Sequence, residues 1–147
     1  MDLFDALHTS SSGLNAQRLR MNLISANLAN INTTRTREGG PYRRKEAVFA
    51  AQAATGAFGD MLAARSANNL PEVKVVEIIN DKSSPRLQYD PGHPDADENG
   101  YVALPNINLM EEMVNMISAT RSYEANITAV KAARDMALKA LEIGRDR

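Results

Sequence analysis

From Met110 to Gly144 apolar residues return every three or four positions without a proline, which is roughly ten turns of one α-helix about 50 Å long. Leu109, Met113, Met116, Thr120, Tyr123, Ile127, Val130, Arg134, Ala137 and Leu141 follow a 4-3-4-3 alternation, the spacing that holds a stripe against a partner in a left-handed supercoil. Asn108 supplies an N-cap, with Glu111 placed to complete a capping box. Glu111 and Glu112 in the first turn and Lys139 and Arg145 near the end suit the helix dipole, and Gly144 is the expected stop. A helix of this length needs a partner along its stripe.

The N-terminal segment repeats the pattern: Leu3, Leu7, Ser10, Leu14, Gln17, Met21, Ile24, Leu28 and Ile31 are again spaced 4-3-4-3. Asp2 with Asp5, or Thr9, is the expected cap. Gly13, the serines Ser10 to Ser12, and Asn15, Asn22, Asn27, Asn30 and Asn32 all lower helix propensity, so packing must stabilise this helix. Ser10, Gln17, Thr120 and Arg134 interrupt the two stripes with polar groups, which makes a poor two-stranded coiled coil. Ala6, Gly13, Ala16, Ser118, Ala119, Ala125, Ala129 and Ala133 let backbones approach closely. An intramolecular helical hairpin and a multi-helix assembly both satisfy the pattern, and the small residues point to the assembly.

Between the helices the chain changes character. Thr33 to Pro41 is polar and holds Gly39-Gly40-Pro41, a loop signal. Tyr42 to Phe49 alternates as a strand, Ala50 to Leu70 is alanine-rich without clear period, and Val73 to Ile79 is rich in β-branched residues. Leu87 to Tyr89 and Tyr101 to Leu104 are shorter strands, the latter behind an Asn99-Gly100 turn. The expected architecture is mainly α with a small β insertion: an N-terminal helix over 1–32, a loop and β-rich subdomain over 33–107, and a C-terminal helix over 108–147, the two helices packed as a coiled-coil-like pair.

No catalytic constellation emerges from this chain of 147 residues. It has two histidines, His8 and His93, in separate segments, no cysteine, and no phosphate-binding glycine loop or hydrolase elbow. Neither a disulfide nor a thiolate metal site is possible. Asp95 to Gly100 imitates the first half of a calcium loop, but Asn106 stands where the closing bidentate glutamate belongs, so an acidic turn is expected instead, with no metal and no cofactor. Arg35, Arg37, Arg43, Arg44 and Lys45 concentrate positive charge around Tyr42, although the formal net charge is -1. A basic-loop nucleic-acid-binding helical protein is therefore the alternative class; with one aromatic and an intervening Glu38, a solvated loop or one pairing with acidic residues of a neighbouring subunit is favoured. No run of residues has the length and apolarity of a membrane span, and the first thirty residues lack a signal-peptide pattern, so any export is expected to use another signal.

Ser25-Ala26-Asn27-Leu28-Ala29-Asn30-Ile31-Asn32-Thr33 resembles the signature of bacterial flagellar rod and hook proteins. Glu112-Met113-Val114-Asn115-Met116 and Ser118-Ala119-Thr120-Arg121-Ser122-Tyr123-Glu124-Ala125-Asn126 are similar to the terminal helix of these axial proteins, most nearly of a proximal-rod member. Gly40-Pro41-Tyr42-Arg43, Tyr89-Asp90-Pro91-Gly92 and Gly100-Tyr101-Val102 resemble that member's middle region, with Thr34 to Gly39 as an insert. The resemblance implies a non-enzymatic subunit of a hollow, torque-transmitting drive shaft in the periplasmic part of the basal body, exported through the flagellar type III apparatus without a cleaved signal. Expected partners are other copies of itself, other proximal-rod proteins, the adapter linking rod to membrane ring, and the distal rod protein. It assigns assembly to the seams, Leu7, Leu14, Met21, Ile24, Leu28, Met113, Met116, Tyr123, Ile127, Val130 and Leu141. The signature positions are Asn27, Leu28, Ala29, Asn30, Asn32, Thr33, Arg121, Tyr123 and Asn126.

Overall fold

A computed structural model describes residues 3–52 and 72–145. The elements run α1 (Leu3–Ala29), β1 (Lys45–Gln52), β2 (Glu72–Asn80), β3 (Arg86–Tyr89), β4 (Tyr101–Leu104) and α2 (Leu109–Arg145). The fold is thus mainly α with two small antiparallel sheets, β1–β2 and β3–β4, between the long helices. Most of the alanine-rich stretch, and the proposed cap Asp2, lie outside the described residues.

α1 and α2 pack antiparallel within one chain: Asn27 meets Glu112, Met21 meets Thr120, and Gly13 meets Asn126. The stripe that α2 buries shares most of its positions with the expected one but also takes in smaller neighbours. Glu112, Ala119 and Ala133 are buried and Met116, Thr120, Tyr123, Ile127, Val130 and Ala137 half-buried, while Leu109, Met113, Arg134 and Leu141 of the expected stripe are exposed. The physical reason is the close approach of the backbones. A Cβ added at Gly13 would lie 3.1 Å from the Asn126 amide nitrogen, so this crossing selects small residues at its closest points. Ala16, Ala119 and Ala133 are accordingly buried, whereas Ala125 and Ala129 face solvent.

The other side of α1 carries the β1–β2 sheet. The Val73 N–H donates to Ser12 Oγ at 3.1 Å, Ser12 in turn donates to the Thr9 carbonyl, and His8 Nδ1 lies 3.1 Å from a Glu72 carboxylate oxygen. Thr9 is therefore inside the helix and caps nothing. β1 begins at Lys45 because Tyr42 to Arg44 belong to the approach loop. Its register with β2 slips between Val48 and Phe49, which pair with Glu77 and Val75 and leave Val76 as the bulged residue.

Asn108 caps α2 through its Oδ1, which accepts the Met110 N–H at 3.0 Å. The helix passes through Gly144 to Arg145 instead of stopping there; glycine lowers propensity without blocking the backbone hydrogen bonds. In the β3–β4 connection Gly100 has φ of 80°, and a Cβ there would come within 3.0 Å of the Tyr89 ring, so glycine is required. The rings of Tyr89 and Tyr101 pack edge to face at 5.3 Å. Asp97 Oδ1 accepts the N–H groups of Asn99 and Tyr101, and Asp95 accepts from Thr34 Oγ1 at 2.8 Å, so these carboxylates organise the turn and its contact with the basic loop.

Candidate functional site at the helix to strand joint

α1 ends in short-range turns, not in a left-handed residue. The N–H of Asn30 donates to the Ala26 carbonyl, the Asn30 side chain does so as well at 2.8 Å, and its Oδ1 accepts from Thr33 Oγ1. The chain then reverses at Gly39 and Gly40, both at positive φ, and Tyr42 N–H bonds back to the Thr33 carbonyl. This loop returns Tyr42, Arg44 and Lys45 to the last turns of α1.

Asn27 is the centre of what is assembled there, at 1% exposure. Its amide nitrogen donates to the Lys45 carbonyl at 3.0 Å and to Glu112 Oε2 at 3.1 Å. Its Oδ1 accepts the Lys45 N–H at 2.9 Å and the Tyr42 hydroxyl at 3.1 Å. Every donor and acceptor position of the carboxamide is thereby used. Toward Lys45 it acts as a strand partner would, satisfying both backbone groups of the first residue of β1. Toward Glu112 it fixes the start of α2.

Glu112, also 1% exposed, is a carboxylate held between helices. Arg44 Nε donates to its Oε1 at 2.7 Å, and Arg44 Nη1 reaches Glu46 at 3.2 Å. Burial works against the Arg44 charge, but the hydrogen bond and charge of Glu112, with Glu46 and Glu111, outweigh it and raise its pKa above the ordinary arginine value. The Tyr42 phenol is also raised, first by burial and then by the negative charge of Glu112, and so stays protonated to donate to Asn27. Asp81 is lowered chiefly by hydrogen bonds from the Ser83 side chain and backbone, with Arg44 and Arg43 adding to this against slight desolvation. Four segments, α1, the loop, β1 and α2, thus meet on one satisfied polar cluster with no nucleophile and base pair in it. Its bonds tie the first residue of β1 to the last turns of α1 and the first turn of α2.

Of the expected seam residues, Ile24 is buried, Leu7, Leu14, Met21, Leu28, Met116, Tyr123, Ile127 and Val130 are half-buried, and Met113 and Leu141 are exposed. Among the signature positions, Asn27 forms the clamp, Asn30 and Thr33 end α1, and Asn126 receives Gly13, while Ala29, Asn32 and Arg121 are exposed. Arg44 departs from the expectation for the basic loop: it pairs with Glu112 of its own chain, whereas Arg35, Arg37 and Arg43 are exposed. Glu112 was readable as a dipole partner and as part of the family resemblance but not as an ion-pair partner, because nothing local signals a pair across 68 positions. The exposure of one charged residue is decided by another segment.

Comparison with known proteins covers the same segments. Residues 7–35 match the family described as "Flagella basal body rod protein", and residues 98–143 match "Flagellar basal body rod FlgEFG protein C-terminal". The chain is 46% identical to the flagellar basal-body rod protein FlgC of Borreliella burgdorferi over 97% of this chain and 98% of that one. It is 45% identical to the protein of that name from Bacillus subtilis, over 99% of this chain and 100% of the relative. The one from Salmonella typhimurium is 40% identical over 99% of this chain and 100% of the relative. None of these likenesses supports nucleic-acid binding. Asn27 and Glu112, from the two matched segments, are the residues that bond to each other in the clamp.

Proposed function

Since the chain belongs to the FlgC family of flagellar basal-body rod proteins, we propose that its antiparallel helices are the load-bearing inner element of a rod subunit and that the clamp fixes the strands to them. The protein is a structural, non-enzymatic subunit of the proximal rod of the bacterial flagellar basal body. The observation that carries this is family-level similarity along almost the whole chain, with both family-matched segments joined through Asn27 and Glu112.

The finer reading follows from the same premise. The seam residues Leu7, Leu14, Met21, Ile24, Leu28, Met116, Tyr123, Ile127 and Val130 hold the two helices of one subunit together, while Met113 and Leu141 serve contacts between subunits. The partners are further copies of the chain, other proximal-rod proteins, the adapter to the membrane ring and the distal rod protein. Placement is in the periplasmic section of the rod after passage through the type III export apparatus, without a cleaved signal. The residue division is an inner unit of 1–32 with 108–147 and an outer one of 33–107.

Deletion of the gene tests this. Loss of motility, with basal bodies that lack a complete rod and recover it when the wild-type gene is supplied, is the expected result; motile cells with intact rods would refute the assignment. Mass spectrometry of the incorporated protein for an intact N-terminus tests export without cleavage.

A further inference from the structure

Two patches of opposite charge adjoin in the β insertion without neutralising each other. Residues 35–45 hold Arg35, Arg37, Arg43, Arg44 and Lys45 against one carboxylate, Glu38, while residues 90–100 hold Asp90, Asp95, Asp97 and Glu98 and no lysine or arginine. Arg44 is used in the clamp. Arg37, Arg43 and Lys45 line a cavity of about 220 Å³ together with Tyr42 and Asn80, and among the described residues no carboxylate pairs with any of these three cations. Lys45 Nζ lies over the Tyr42 ring, 6.0 Å from its centroid. In the acidic patch the Gly100 N–H donates to the Asp97 carbonyl at 3.0 Å, which puts Glu98 and Asn99 at the corners of a β-turn. Asp90, Asp95 and Asp97 accept hydrogen bonds within the chain, whereas Glu98 is exposed and has no partner among the described residues. The bond from Thr34 to Asp95 holds the two patches next to each other, yet Glu98 does not line the cavity of its own chain.

We propose that the Glu98 turn of one copy inserts into the cavity formed by Arg37, Arg43 and Lys45 of a second copy, a contact between β insertions that is separate from the helix pair. It rests on the rod-subunit reading for which molecules meet. Charge complementarity selects the occupant. A carboxylate in this cavity meets two guanidinium groups, whose planar donor forks match its two oxygens, and one ammonium. The chain itself supplies such a carboxylate at an exposed corner with no other bond to break. A polyanion such as a nucleic acid fits less well, because the acidic patch beside the cavity repels it. Exposed Tyr89 and Tyr101 adjoin the turn, the Tyr89 ring packing against Gly100, and offer ring faces to the guanidinium of exposed Arg35. Asp97 stiffens the turn beforehand through the N–H groups of Asn99 and Tyr101, so little freedom is lost on entry. Turn and cavity are different surfaces, so each copy gives one and receives one.

Exposed ion pairs are individually weak, so the contact is best trapped covalently. The chain has no cysteine, and two single-cysteine variants of the full chain therefore report it: Asn99→Cys beside the inserting carboxylate and Glu38→Cys at the cavity. Both positions are exposed, and circular dichroism checks that helix content is retained. Oxidation of the equimolar mixture should give mixed disulfide dimers well above the random proportion. Adding Glu98→Lys to the Asn99→Cys chain should lower their yield about fivefold, and Arg37→Glu with Arg43→Glu in the other chain should then restore it. Raising the ionic strength from about 0.1 M to about 1 M shortens the screening length from about 10 Å to about 3 Å and should reduce the yield of the unreversed pair about threefold. Random proportions, a yield indifferent to charge reversal or salt, or a doubly reversed pair that does not recover would overturn the contact. The deletion strain separates this from the rod assignment: a non-motile deletion together with random proportions removes the contact between β insertions alone.

Discussion

The two ends of the helix pair are held by different means. Where α1 finishes, Asn27 and Glu112 are buried among hydrogen bonds that leave no capacity of the Asn27 amide unused. In the first half of α1 the contact between the helices is a close crossing of Gly13 against Asn126, beyond which α2 carries exposed Leu138, Leu141 and Ile143. Polar burial is specific but costly unless every partner is present, whereas a small-residue crossing is held by van der Waals contact. Between the helices one end is therefore a joint fixed by directed bonds, and the other, adjustable in that sense, is set by packing. A subunit that must join a rigid shaft and present strands at a set angle benefits from that division.

The largest expected effect breaks the fixed joint at its centre. Asn27→Ala removes the partners of the Lys45 N–H and carbonyl, the Tyr42 hydroxyl and one Glu112 oxygen, and at about 1–3 kcal/mol for each group left unsatisfied the total should exceed 3 kcal/mol even after water enters. Urea unfolding followed by helix content should show the loss; a change under 1 kcal/mol would mean that the cluster is not the anchor.

Arg44→Met comes next, because it leaves the Glu112 carboxylate buried without its cation. Breaking such a pair costs about 3–5 kcal/mol, and the retained Asn27 bond and the partial exposure of Arg44 place this case at or below the lower figure. Arg44→Met with Glu112→Leu should recover part of the loss, since an apolar pair carries no stranded charge. A double variant that is weaker than Arg44→Met by the full cost of Glu112→Leu alone would show the two residues to be independent.

These two residues also show where sequence reasoning reached and where it ended. Repeating periodicity, the Asn108 cap, the Asn99-Gly100 turn and β-branched composition located both helices and the described strands, with β4 at the expected bounds, because each signal is local. The burial phase of α2 was legible only in part: periodicity followed the large residues and small neighbours marked close approach, but neither signal told that Ala119 and Ala133 are buried while Met113, Leu141, Ala125 and Ala129 stay outside. Asn27 stood out through its resemblance to a signature, yet its use as a substitute strand partner for Lys45 depends on a loop that brings back a residue 18 positions away. Arg44 and Glu112 looked like a loop cation and a dipole partner, which is what each is locally. Their pairing is a property of the fold.

Gly13→Ala probes the adjustable end and should do much less. Alanine gains about 0.5–1 kcal/mol of helix propensity, while its Cβ must push the Asn126 side chain from a 3.1 Å approach. The side chain is flexible, so a net change within about 1 kcal/mol is expected. Amide exchange should show the same asymmetry in the unaltered protein, with protection in α1 highest near Asn27 and falling toward Leu7. Uniform protection along α1 would contradict the contrast between the ends.

The smallest effect concerns the phenol at the edge of the joint. Tyr42 titrates above its ordinary value because burial, and then the charge of Glu112, oppose the phenolate. The folded protein therefore holds this proton more tightly than the unfolded chain. Its contribution is fully present below about pH 10 and is lost as pH rises through the folded-state pKa. Tyr42→Phe keeps the ring but deletes the hydroxyl that donates to Asn27 Oδ1, at an expected cost of about 1 kcal/mol at neutral pH. Because the variant has no phenol to ionise there, its stability should fall less steeply than that of the parent above pH 10. Unfolding midpoints measured from neutral pH into the alkaline range decide the matter: converging curves support a protonated hydroxyl bound within the clamp, and parallel curves would remove Tyr42 from it.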